Sequence, residues 1–123
     1  MAASAVVIAP PGPLRDGLHA LIGALPQVGR VWAAGDVCAV PVLGPNPEPV
    51  LVVLDGDQPG EKVGWMVRRA RGRWAQASII VLVGTAKQQQ EAEVAGADSV
   101  LFQGLPAGRL IAIIVRLLPQ PVM

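Results

Sequence analysis

Cysteine, histidine and charge are all scarce in this chain. Cys38 is the only thiol and His19 the only imidazole in 123 residues, which excludes an internal disulfide and any multi-cysteine metal site, and predicts Cys38 to be a small buried hydrophobe. Charged residues make up 15% of the chain, ten Lys and Arg against nine Asp and Glu. That is well below the usual share of about a quarter, so the folded surface is expected to carry apolar area that meets a partner. The longest strongly apolar run, Leu110 to Val115, falls far short of the roughly 20 residues that cross a bilayer. The opening MAASAVVIAP has neither the basic start nor the long apolar stretch of a secretory signal. The expectation is a cytoplasmic protein with no membrane partner. Neither a repeat nor a low-complexity tract is present. The 14 Gly and 12 Pro punctuate apolar runs, which predicts one folded domain over residues 1–123.

Those runs set the order of elements. Val6 to Ala9 is a β-branched run stopped by Pro10, Pro11, Gly12 and Pro13. Pro13 suits the first turn of a helix, along which Leu14, Leu18, Leu21, Ile22 and Leu25 recur at helical spacing until Pro26. Val28 to Ala33 is a second apolar stretch, and Gly35-Asp36 opens a helix that Pro41 keeps short or broken, before a proline-rich connection at 44–49. Val50 to Leu54 is apolar at every position and ends on Asp55-Gly56-Asp57, the pattern of a strand buried on both faces that delivers two carboxylates into a loop. Glu61 to Trp74 reads as a helix with its arginines toward the far end, where cations suit the helix dipole. Ile79 to Val83 is another buried strand, followed by Gly84-Thr85 and a short helix from about Lys87 to Val94. Ser99 to Phe102 is a fifth strand, and Pro106 opens a last helix to about Leu118. Five strands alternating with five helices predict a doubly wound α/β fold, a flavodoxin-like parallel sheet between two helical layers. Ligands and chemistry in such sheets gather beyond the carboxyl ends of the strands, here at 9–12, 55–58, 84–86 and 102–104.

The element order, together with VVLD ending at Asp55, QPG at 58–60, VLVGTA at 81–86 and AGAD at 95–98, resembles the receiver domain of bacterial response regulators over nearly the whole chain. The resemblance implies a (βα)5 module in which Asp55 stands where the family's aspartate accepts a phosphoryl group from a histidine kinase. It matches Thr85 to the family's phosphoryl-contacting hydroxyl and Gln103 to its lysine, so the donor survives while the charge is lost. The family's acidic pair after the first strand, which holds a divalent cation against the phosphoryl charge, falls on Ala9, Pro10 or Pro11. No carboxylate is available there. Asp57 is the one side chain that offers a replacement oxygen for Mg, and two carboxylates on one loop make a poor cation site. The helix after Thr85 is also about one turn shorter than the family's, which disturbs its switch surface.

Other features have plainer readings. The last helix carries Leu110, Ile113, Ile114 and Leu117 for the sheet, and leaves Ile111, Val115 and Leu118 for a second face, which predicts a homodimer. Lys62, Arg68, Arg69, Arg71 and Arg73, near Trp65 and Trp74, hold half of the cations. With a whole-chain balance of +1 and no recognition motif, they read as a solvated face and not as a nucleic-acid site. His19 has no nucleophile motif beside it, and prolines around Gly12 remove the amides that a phosphate cradle needs.

The expectation is therefore a stand-alone, non-enzymatic, receiver-like signalling module without a resident cofactor, acting through contacts with a second copy, a histidine kinase or a regulatory protein. Two alternatives stay open: a working phosphoacceptor with Asp55 as nucleophile, and a small-ligand sensor above the strand ends near Pro10, Pro11 and Gln103.

Overall fold

The computed structural model describes residues 3–40, 49–57 and 62–118. The proline-rich stretch at 41–48, the motif at 58–60 with the expected helix start at Glu61, and the chain after 118 lie outside the described residues. Five parallel strands, β1 (Ala3–Ile8), β2 (Val28–Ala34), β3 (Leu51–Asp55), β4 (Ser78–Val83) and β5 (Ser99–Phe102), form one sheet in the order β2-β1-β3-β4-β5. The helices are α1 (Pro13–Gly23), α2 (Val63–Arg73), α3 (Ala86–Ala95) and α4 (Ala107–Leu117).

Strand periodicity of two divides the core into two layers. Val6, Ile8, Val52, Leu54, Ile79, Val81 and Val83 face α2 and α3. Ala5, Val7, Leu51, Val53, Ile80 and Leu82 face α1 and α4. Because β1, β3 and β4 are covered on both sides, every residue in their paired centres must be apolar, which is why these strands read as unbroken runs. Leu18 and Ile22 are the buried line of α1; Val63, Met66, Val67 and Ala70 are that of α2.

The expected second helix is corrected to a single 3₁₀ turn, Val37–Ala39. The Asp36 carboxylate accepts the Cys38 amide at 2.6 Å to start the turn, and Cys38, expected to be buried, is exposed because the turn points Val37 and Val40 inward instead. Val40 is then extended at φ −74° and ψ 124°, the region into which a following proline pushes its predecessor. One turn is enough to place Val37 and Val40 over the same layer as α2. The outward role expected of Leu118 is likewise corrected. Its backbone leaves the helix, but its side chain continues the Leu110–Ile114 line into the core and is 3% exposed. Ile111 and Val115 remain half-buried.

At the amino ends of the strands, Arg71 ties three segments together. Its guanidinium donates to the carbonyls of Ala75, Ala77 and Gly96 and pairs with Asp98 at 2.8 Å. The Asp98 carboxylate also accepts the Ile79 amide.

Candidate functional site at the strand ends

Chain order reverses between β1 and β3, so a crevice opens at their carboxyl ends. Ile8 pairs with Leu54, which brings Ala9 and Asp55 to the opposite rims of that crevice. Asp55 is the last residue of β3 and 6% exposed. Gly56 fixes the exit of the strand. Its amide donates to the Leu82 carbonyl at 2.7 Å, and a Cβ there would stand 2.7 Å from Val63 Cγ2 and 2.9 Å from both the Leu82 carbonyl and Val81 Cγ1. No side chain fits.

Asp55 Oδ1 accepts two hydrogen bonds, from the Asp57 amide at 3.0 Å and from Gln103 Nε2 at 2.9 Å. Burial raises the Asp55 pKa above the usual carboxylate value, and the neighbouring Asp57 charge adds to the rise. The bonds from the Asp57 amide and from Gln103 act in the opposite direction, and burial is the larger effect.

Asp57 itself is exposed and engaged with the next loop. Its Oδ1 accepts from Gln88 Nε2 at 3.2 Å. Its carboxylate packs over Gly84, where a Cβ would meet Asp57 Oδ2 at 2.8 Å. Gln88 Oε1 meanwhile accepts the amides of Gly84 at 2.8 Å and Thr85 at 3.2 Å, and the Gln88 amide donates to Thr85 Oγ1 at 3.1 Å. Thr85 is thus the N-cap of α3 in a reciprocal capping box. The structure joins Asp55, Asp57 and Gln103 by direct bonds and brings Thr85 in through Gln88.

Two residues of this network escaped the sequence reading. Gln88 was legible in principle, since Thr-x-x-Gln before a helix is a capping signature. Arg15 carries no such signal; from α1 its guanidinium reaches the Ala9 carbonyl at 3.4 Å.

Among the described residues the donor set does not fit a divalent cation. The β1 rim consists of Ala9, Pro10 and Pro11, which have no side-chain oxygen. No cluster of three or more His, Cys, Asp or Glu exists among the described residues. Of the two carboxylates present, Asp57 is already bonded to Gln88.

Two depressions flank the site. An apolar cavity of about 190 Å³ lies between α1 and α4 and is lined by Leu14, Leu18, Phe102, Gln103, Leu105 and Leu110, among others. A polar groove of about 520 Å³ lies between the starts of α2 and α3, with Lys62, Thr85, Lys87, Gln88 and Glu91 on its walls. Among the described residues no helix is long and apolar enough to cross a membrane.

No family model matches the chain, and no curated protein does. Solved structures do. A CheY-like response regulator receiver domain protein from Methanospirillum hungatei aligns with a TM-score of 0.76 at 12% identity, over 94% of this chain and 93% of that one. The receiver domain of RcsB from Salmonella enterica serovar Typhimurium, solved with the phosphomimetic BeF3−, aligns at 0.75 and 13% identity, over 94% and 87%. The BeF3-activated receiver domain of DrrB aligns at 0.70 and 19%, over 95% and 97%. Against longer response regulators the chain spans about half the length, 56% of ChrA and 52% of Thermotoga maritima DrrB. The chain has the receiver fold, a CheY-like five-stranded α/β sandwich.

Proposed function

We propose that this chain is a receiver-like signalling module of the two-component type, a pseudo-receiver, that works by protein–protein contact and is not phosphorylated through the usual Mg-dependent route. The observation that carries this reading is the Gln103 amide on Asp55 Oδ1 at 2.9 Å. A neutral amide satisfies the buried carboxylate and brings no charge against an incoming phosphoryl dianion. The bare Ala9–Pro11 rim supports the same reading, because it leaves that dianion without a metal. Partner classes are a second copy, through the half-buried Ile111 and Val115 of α4, a histidine kinase, or another regulatory protein.

Incubation with acetyl phosphate and Mg, followed by intact mass, tests the proposal. Wild type is expected to keep its mass. A phosphoryl adduct on wild type that is missing from Asp55→Asn would overturn it and establish a working phosphoacceptor.

The cavity beside Gln103 favours a second reading, a sensor for a small apolar ligand. A ligand-dependent rise in melting temperature that is abolished by Leu14→Trp, which fills the mouth of the cavity, is the expected signature of that activity.

A further inference from the structure

The outer face of α2 is unlike the rest of the surface. The helix Val63–Arg73, with its N-cap Lys62, carries five cations and no acidic residue. Two of the five are committed elsewhere in the fold. Arg71 is held by Asp98 and three carbonyls, and Arg73 donates to the carbonyls of Val37 and Val40. The other three, Lys62, Arg68 and Arg69, form no ion pair among the described residues.

These three surround Trp65, which is 47% exposed. Spacings of three and four residues put Lys62, Trp65, Arg68 and Arg69 on one helical face. The Arg69 guanidinium stacks on the Trp65 ring at 4.5 Å from its centroid and lies against Cys38 Sγ. A large, half-exposed aromatic ring pinned by an oriented arginine is the pairing enriched at interface hot spots. The ring is thus held ready before any partner arrives, so little side-chain entropy remains to be lost on contact.

We infer that this face of α2 docks an acidic protein segment, one that sets carboxylates three to four residues apart against Lys62, Arg68 and Arg69 and lays an apolar side chain on Trp65. Charge complementarity selects this occupant. A second copy would bring its own cationic α2 to the same face and be repelled. Nucleic-acid affinity grows with the number of phosphates neutralised, and Lys62, Arg68 and Arg69 span only about 10 Å of helix, with Arg69 already stacked on Trp65. The inference rests on the reading of the chain as a contact-making module but not on the state of Asp55. Phosphorylation of Asp55 in the mass experiment would leave it standing.

The test uses the full chain and a fluorescein-labelled helical peptide with Glu three and four residues apart on one face and a Leu between them, followed by anisotropy. Wild type is expected to saturate the peptide below about 1 mM. The double variant Lys62→Glu/Arg68→Glu should weaken binding at least about tenfold, and Trp65→Ala by about tenfold. Arg116→Glu on α4 should leave it unchanged. Lys62 and Arg68 are exposed and their side chains form no ion pair or hydrogen bond among the described residues, so their double variant is expected to keep the wild-type melting temperature, and its loss of binding is a loss of contact. Absence of saturation, equal binding by the double variant, or tighter binding of a short DNA duplex than of the peptide would each overturn the proposal.

Discussion

The two rims of the strand-end crevice have diverged. On the β3–β4 side, Asp55, Asp57, Thr85, Gln88 and Gln103 form a continuous hydrogen-bonded chain. On the β1 side, Ala9, Pro10 and Pro11 carry no side-chain donor or acceptor. The difference lies in what else each residue does for the fold. Thr85 caps a helix, Asp57 closes over Gly84 and accepts from Gln88, and Gln103 satisfies a buried carboxylate. The turn after β1 needs only to end a strand and lead into Pro13 at the head of α1. Asp55 and Thr85 each serve the fold in this structure, so their presence at the strand ends is not by itself a sign of chemistry there.

Substitutions on each side sharpen this contrast. Gly56→Ala on the bonded rim forces a methyl group against Val63, Val81 and a β4 carbonyl; it should lower unfolding free energy by about 2–3 kcal/mol, as overpacking does. Pro10→Ala on the bare rim should change it by no more than about 0.5 kcal/mol. Equal urea midpoints for the two variants would erase the distinction.

Gln88→Ala comes next in size. It removes the acceptor of the Gly84 and Thr85 amides and the donor to Asp57, and should cost about 1 kcal/mol. Hydrogen exchange should accelerate at those two amides while α4 keeps its protection.

The smallest effect is the most diagnostic of burial. Because burial raises the pKa of Asp55 in the folded state above its unfolded value, the folded protein holds that proton more tightly. Asp55 therefore contributes stability that is complete below the unfolded pKa and fades as pH rises through the folded one. Relative to Asp55→Asn, wild type should gain stability as pH falls from neutral toward the ordinary carboxylate range. Parallel urea-midpoint curves for the two proteins would show that Asp55 feels no net burial.

Much of the architecture was legible because the covered strands allow only apolar residues. Val50–Leu54 and Ile79–Val83 announced buried parallel strands, and Pro13 marked the start of α1. The second helix was misread because Val37, Cys38 and Val40 have apolar spacing that suits one helical turn or several, and only the extended Val40 shows that the turn stops. Leu118 belongs to the buried line and not to a second face because Leu110, Ile114 and Leu118 stand four residues apart, on one side of the helix. At the site, Asp55, Asp57, Thr85 and Gln103 could be located from strand ends alone. The bonds among them could not, because they depend on Gly84 lying against Asp57 and on Gln88 reaching across from α3.

The pole opposite Asp55 is clasped by Arg71, whose guanidinium holds the carbonyls of Ala75, Ala77 and Gly96 and the Asp98 carboxylate at once. One end of the sheet thus ends in a buried carboxyl group whose pKa burial raises, and the other in a guanidinium locked by four partners. The molecule has a tip whose charge is set by burial and a base in which one side chain ties α2 to the end of α3 and the start of β4.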